Sequence, residues 1–387
     1  MSTLTIRAAA LVGAGTTHLG PATVIVDGGV IADIVRGHPS VPGAEIGDGT
    51  DTVTPGLIDV HTHGAAGVQV IDGDVDALRR LGAFYAAHGV TSYLATVGGS
   101  DGAIRAGLSA VRELVASDDF GGATCLGAHL EGPYISSCCP GAFDPTSIVA
   151  PDPAAFERYV ALAAGTLRHV TLAPELAGQA EVIRAARDHG VTCSAGHSAA
   201  TEAEMLDALD RGVAAVTHMF NAMAPLHHRD PGIVGVALTD PRLVVELIAD
   251  GVHVHPRVVD LLHRAVPDDR IALVTDSIAA TGLPDGDYAF EEQQLVVRSG
   301  EARLHDGTLA GSTLTLDAAV RNFAEFTGIE WTEAVVAATA TPAALLGLRH
   351  RKGQISVGHD ADLTGFGPHG EVRWTVVAGR LVYEAAR

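Results

Sequence analysis

Between residues 56 and 277, short apolar runs rich in β-branched residues alternate with alanine-rich stretches of helical character, and nothing else in the sequence restricts the fold as much. The runs are "GLIDVHTH" (56–63), "VTSYLATV" (90–97), "TCLGAHLEG" (124–132), "HVTLAPE" (169–175), "VTCSAGHS" (191–198), "AAVTHMF" (214–220), "LVVELIADGVH" (243–253) and "IALVTDS" (271–277). Helical candidates such as "DVDALRRLGAFYAAHG" and "EAEMLDALDRG" lie between them. Consecutive strands joined by helices must run parallel, because the helix carries the chain back across the sheet. Eight such units predict an α/β fold built on a (β/α)8 TIM-like barrel.

The two ends break this rhythm. Residues 1–54 are hairpin-like: "ATVIVDGGVIADIV" reads as strand, Asp-Gly-Gly turn, strand. The tail from residue 353 repeats the pattern in "EVRWTVVAGRLVYEA". Together they predict a small β-sandwich domain, 1–54 with 353–387, beside a catalytic barrel of residues 55–352. Residues 286–309 read as a further β excursion before the helical "AGSTLTLDAAVRNFAEFTG". The opening "MSTLTIRAAALVGAG" faintly suggests a leader, but the hairpin after it favours a strand. No apolar run has the length needed to span a bilayer.

Composition narrows the function. With 25 Lys+Arg against 46 Asp+Glu, the formal charge of −21 argues against nucleic acid and anionic membrane surfaces as partners. It leaves room for an anionic small molecule, since a few local cations outweigh a distant field. The four cysteines (Cys125, Cys138, Cys139 and Cys193) include an adjacent pair and form no CxxC, which points to a reduced, cytoplasmic setting. Lys352 is the sole lysine, so Schiff-base chemistry and a P-loop lysine elsewhere are closed.

Barrel chemistry sits where the strands end. Run one ends in His61 and His63, and run three in His129 and Glu131. Run five ends in His197 and run six in His218; run seven is followed by His253, and run eight ends in Asp276. Alternate residues of a strand share a face, so His61 and His63 can both point inward, as can His129 and Glu131. Taken singly, His197 or His218 is more often a hydrogen-bonded core histidine, and Asp276 could cap the following helix. Histidine, 19 of 387 residues, nonetheless ends five of the eight runs, which predicts a divalent-metal site of imidazole and carboxylate suited to zinc, or to iron in its place. His129 reads as a partner of the ligands, although ligation is the alternative.

"PGLIDVHTHG", "HLEGP", "SAGHS", "THMFNAM", "DGVH", "LVTDS" and "LAGS" occur in the order seen in N-acetylglucosamine-6-phosphate deacetylases of the amidohydrolase superfamily, which the chain resembles from about residue 10 to 385. The resemblance implies hydrolysis of N-acetylglucosamine 6-phosphate to glucosamine 6-phosphate and acetate, in amino-sugar catabolism and cell-wall recycling. It implies that Glu131, His197 and His218 hold a principal divalent metal, Zn2+ with Fe2+ or another divalent ion as substitute. His61 and His63 would hold a second, giving one or two ions per chain. Asp276 would be general base and acid, and His253 would hydrogen-bond the substrate and steady the oxyanion. Asn221, Ala222 and Arg229 would grip the sugar phosphate, and Leu309 and Ala310 would line the acetyl side. The family works as homodimers, with a partner residue often reaching the phosphate.

Relatives that bridge two metals with a carbamylated lysine carry it on strand four, and "HVTLAPE" has none, which leaves Glu131 as the candidate bridge. Phe143 in "CCPGAFDP" departs from the family, many of whose members have a substrate-touching histidine there. Cys138 and Cys139 of that loop read as plain loop residues or as a redox-sensitive lid. Arg229 in "LHHRDPG" can grip phosphate or simply pair with Asp230. The competing readings are an amidohydrolase acting on a related N-acetyl-hexosamine phosphate and an inactive sugar- or metal-binding paralogue.

Overall fold

The structure, a computed structural model, describes residues 4–13, 16–41, 43–290 and 293–386; the outer parts of the opening "MSTLTIRAAALVGAG" and Glu291–Glu292 of the expected excursion lie outside them. Eight parallel strands form the barrel, numbered here β1 (Leu57–Thr62), β2 (Val90–Val97), β3 (Thr124–Glu131), β4 (Leu167–Leu172), β5 (Thr192–Ala195), β6 (Val213–Val216), β7 (Val244–Leu247) and β8 (Ile271–Leu273). They pair strictly in sequence order. Closure comes from a parallel bridge between Thr62 and Ser277, supported by Asp276 N donating to His61 O at 2.8 Å. Every residue of β1 and β2 is buried. That is the signature of strands covered on both faces, and it explains the near-continuous apolar runs.

The connecting helices follow local rules. Helix α1 (Val75–Ala87) starts at Asp74, whose carboxylate accepts from the amides of Asp76 and Ala77. Helix α2 (Asp101–Ser117) buries Ile104, Leu108, Val111 and Leu114 along one stripe. In α3 (Glu202–Arg211) the Thr201 hydroxyl accepts from Glu204 N at 3.3 Å while Glu204 accepts from Thr201 N at 2.8 Å, a closed capping box.

Four runs extend past their strands: β5 stops at Ala195, β6 at Val216, β7 at Leu247 and β8 at Leu273. His197, His218, His253 and Asp276 therefore lie in the turns beyond, and the two-residue alternation of a strand does not orient them. Three of them have left-handed backbones: His197 at φ 47°, His218 at φ 30° and Asp276 at φ 50°.

The terminal strands make a two-sheet β sandwich. One sheet has the order Val30–Arg36, Ala22–Asp27, Leu4–Ala8, Ala44–Ile46. The other has the order Arg380–Glu384, Val372–Val377, Leu363–Phe366, Thr52–Pro55, Ala10–Gly13, Thr16–Leu19, so both ends of the chain share it. Ile6, Leu11, Val24, Ile31, Val53, Leu363, Trp374 and Val376 belong to a core distinct from that of the barrel. The Asp-Gly-Gly turn has Gly28 at φ 60° and Gly29 at φ 85°, the paired positive angles of a tight hairpin. The excursion is a three-stranded antiparallel sheet, Gly286–Phe290, Gln293–Arg298 and Glu301–Leu304. No helix among the described residues is long and apolar enough to cross a membrane.

Lys352 is buried where the barrel meets the sandwich. Its ammonium lies 3.0 Å from Asp360 Oδ2 and also bonds the buried carboxylate of Asp362. Removing one partner of such a group leaves buried charge uncompensated. Lys352→Met should lower unfolding stability by about 3–5 kcal/mol in a denaturant titration; a loss below about 1 kcal/mol would mean that the cluster behaves as a surface pair.

Candidate metal centre and catalytic cleft

At the C-terminal mouth of the barrel, one buried carboxylate collects four imidazoles. Glu131, the last residue of β3, has Oε1 3.2 Å from His197 Nε2 and 3.1 Å from His218 Nε2. Its Oε2 lies 3.0 Å from His63 Nε2 and 3.4 Å from His61 Nε2. Asp276 Oδ1 is 3.3 Å from His63 Nε2 and 3.5 Å from His61 Nε2. Two trios result, Glu131–His197–His218 and His61–His63–Asp276, and within each the donor atoms lie within 4.8 Å of one another.

The ring orientations can be argued from their outer contacts. His197 Nδ1 is 3.0 Å from Cys139 O, and a carbonyl can only accept, so the proton is on Nδ1. A neutral His197 then turns an Nε2 lone pair toward Glu131 Oε1 and toward His218 Nε2, 3.0 Å away. His61 repeats the arrangement. Its Nδ1 faces Glu246 Oε2 at 3.3 Å, while Nε2, buried, makes no hydrogen bond. Lone pairs aimed at lone pairs call for positive charge between them, which either protons or a divalent cation can supply. The donor set of imidazole nitrogen and carboxylate oxygen, oriented by outer acceptors, fits such an ion.

The titration tendencies express the same demand. Burial would raise Glu131, but His61 and the surrounding hydrogen bonds outweigh it and hold the group well below the usual carboxylate range. Burial would lower His63, but Asp276 and Glu131 outweigh it and raise the ring to about 9. Asp276 is lowered by His61 and His63 against its burial.

The cleft above the trios encloses about 300 Å³ and is lined by His63, Glu131, His197, His218 and Asp276 at one end. Asn221, Ala222, His253 and Leu309, all expected from the sequence, also line it. His253 is held by Asp250, whose Oδ2 lies 2.7 Å from Nδ1, leaving Nε2 for the cleft. Burial works against protonation of His253, yet Asp250 raises its pKa. His129 belongs to neither trio but packs edge-on against His61, with ring centroids 4.6 Å apart, and has Nδ1 3.1 Å from the Thr96 hydroxyl and Nε2 2.8 Å from that of Thr171.

Two expected substrate residues do not line this cleft. Arg229 is exposed on its loop, with Nη1 2.7 Å from His228 Nε2. Ala310 is fully buried in the small core under the excursion, while its neighbours Leu309 and Gly311 reach the cleft. Phe143 does line it, edge-on to His197 with ring centroids 5.1 Å apart. Cys138 is exposed, and burial pushes up the thiol of half-buried Cys139, so it ionises less readily.

Sequence reading missed Glu246, Phe290, Thr308 and Arg303. Glu246 had a usable signal, a charge in the middle of the apolar run "LVVELIADGVH". It is fully buried between His61 and His169 Nε2, the latter at 3.3 Å. Arg303 and Phe290 come from the excursion, which belongs to no barrel strand.

Residues 52–382 match the amidohydrolase family. The chain is 38% identical over 363 residues to an N-acetylglucosamine-6-phosphate deacetylase of Bacillus subtilis (strain 168), with 92% of each chain covered. It is 38% identical over 332 residues to an N-acetylgalactosamine-6-phosphate deacetylase of Escherichia coli O157:H7, covering 86% of this chain and 88% of the relative. Among solved structures, an N-acetyl-D-glucosamine-6-phosphate deacetylase variant from Mycobacterium smegmatis in complex with N-acetyl-D-glucosamine-6-phosphate superposes with a TM-score of 0.92. It is 31% identical, with 99% of this chain and 100% of that one covered.

Proposed function

The chain belongs to the amidohydrolase family, a metal-dependent family of hydrolases, and from that premise we propose that it removes the acetyl group of N-acetylglucosamine 6-phosphate. The observation that carries this reading is the pair of imidazole–carboxylate trios, linked by the Glu131 carboxylate's contacts to His61 and His63, at the floor of a cleft large enough for a small molecule. Glu131, His197 and His218 would hold the principal ion, and His61 and His63 a second, zinc being the ion that this donor set suits best. A bound divalent ion lowers the pKa of water toward neutrality and polarises a carbonyl.

The protein groups do the remainder. Asp276, the carboxylate of the second trio, lines the cleft and would take the proton of the attacking water and return it to the amine nitrogen, which cannot leave as an anion. His253, fixed through Nδ1 by Asp250, offers Nε2 to the substrate and to the charge developing on the acetyl oxygen. Asn221, Ala222 and Leu309 shape the sugar's bed. Arg229 is exposed and does not line its own cleft, and in a homodimer it would serve the phosphate of a second copy of the chain. We assign catalysis to residues 55–352 and a supporting role to the sandwich of 1–54 and 353–387, in a cytoplasmic enzyme.

Acetate release from N-acetylglucosamine 6-phosphate should be measurable and should collapse on chelation, returning with zinc; no release under either condition would favour the inactive-paralogue reading. Asp276→Asn should retain metal and lose about a hundredfold or more of kcat, and near-normal turnover would remove the proton-transfer role. Elemental analysis should find up to two ions per chain, with one fewer in His61→Ala. An unchanged count in that variant would make the His61–His63 pair purely structural.

A further inference from the structure

We propose that Glu246, which lies outside both trios and does not line the cleft, is the positioning residue that decides whether the His61–His63–Asp276 trio takes up a second ion; the proposal rests on the two-ion reading above. Glu246 belongs to β7 and is fully buried. Its Oε2 is 3.3 Å from Nδ1 of His61, and the Nε2 of that ring faces Glu131 and Asp276. A carboxylate can only accept, so this contact keeps the proton on Nδ1 and turns the Nε2 lone pair to the place of the ion.

Both ends of this path are short of a partner. Among the described residues, the buried His61 Nε2 makes no hydrogen bond, and neither does Glu246 Oε1, whose neighbour His169 Nε2 is 3.3 Å away but out of line for one. A buried carboxylate and a buried ring nitrogen left in this state both call for positive charge. A cation on Nε2 satisfies the nitrogen directly and answers the carboxylate through the ring. His129 lies edge-on to His61 and to His169, with centroids 4.6 and 4.7 Å away, and keeps either ring from turning aside.

The first trio lacks this support. His197 Nδ1 faces the neutral carbonyl of Cys139, and the buried Nδ1 of His218 has no hydrogen-bond partner among the described residues. Two divalent ions would outweigh the carboxylates of Glu131 and Asp276. Among the described residues, Glu246 is the one further carboxylate on an imidazole of either trio. Asp59, also buried and close to His61 in the chain, spends its oxygens elsewhere: Oδ2 accepts from the Thr275 hydroxyl at 2.6 Å, and Oδ1 from the amides of His61 and Thr275, each at 3.3 Å. Because Glu246 reaches a ring of the second trio and none of the first, its charge, little screened in the dry interior, acts chiefly on the second ion.

The test reads zinc stoichiometry and affinity, by titrating the full chain against a chromophoric chelator and by elemental analysis, so that no turnover is needed. Glu246→Gln keeps the shape and an acceptor but removes the charge. It should weaken the second ion about tenfold to a hundredfold and leave the first nearly unchanged. Glu246→Leu removes the acceptor as well and should weaken the second ion further; if it does not fold, the nearly isosteric Glu246→Gln decides. In a His61→Ala background, Glu246→Gln should cost nothing more, because its effect runs through that ring. Wild-type affinity for both ions in Glu246→Gln, an equal loss of both, or a further loss in the His61→Ala background would overturn the proposal. A wild type that holds a single ion at saturating zinc would overturn it together with the two-ion reading, while acetate release by the same protein decides the deacetylase reading separately.

Discussion

The mouth of the barrel is organised by the carboxylate of Glu131, buried and shared among four imidazoles. One oxygen serves His197 and His218; the other serves His61 and His63. A buried anion is costly unless positive charge surrounds it, so strands β1 and β3 and the turns after β5 and β6 are all committed to the same point. The outer contacts follow from this commitment. The Cys139 carbonyl and the Glu246 carboxylate each face the far nitrogen of a ring, turning the near nitrogen inward. The loop carrying Cys138 and Cys139 is thus part of the site through its backbone, whatever its thiols do.

The turns carry the exact placement. His197, His218 and Asp276 sit in left-handed backbone, as does Ala222, a conformation that side chains adopt reluctantly and that surrounding structure must enforce. Enforcement is visible in the backbone bonds: Asp276 N donates to His61 O at 2.8 Å, and Ser312 N donates to Asp276 O at 2.8 Å. The eighth turn is gripped from both sides, by β1 and by the segment returning from the excursion. The excursion, which adds Phe290 and Arg303 to the cleft, is therefore tied to the element that carries Asp276.

Much of this was legible in the sequence. The rhythm of apolar runs reports strands buried on both faces, and a parallel sheet of eight such strands closes in only a few ways. Run-end histidines were legible because they recur at five of the eight runs, although each alone could be a hydrogen-bonded core residue. Legibility failed where the backbone leaves regular structure. Strand alternation could orient His129 and Glu131 but offers nothing for His197, His218 and Asp276, which lie past β5, β6 and β8, where turn geometry sets direction. Ala310 and Leu309 could not be told apart by pattern, because a short irregular segment decides which neighbour faces the cleft. Arg303 left no local mark, since a half-exposed arginine in a hairpin looks like any surface residue until its turn is folded. The motif resemblance carried the order of the site residues but not the way the excursion leans over them.

The seclusion of Lys352 has a practical side. The chain contains no other lysine, and this one is locked between Asp360 and Asp362 at the seam of barrel and sandwich. The outer surface of the folded molecule therefore offers no side-chain amine. Acylating tags, aldehyde fixatives and cyanate, all of which seek such nucleophiles, would find no lysine handle on the folded subunit, and coupling through exposed carboxylates or the Cys138 thiol offers the gentler route to immobilisation.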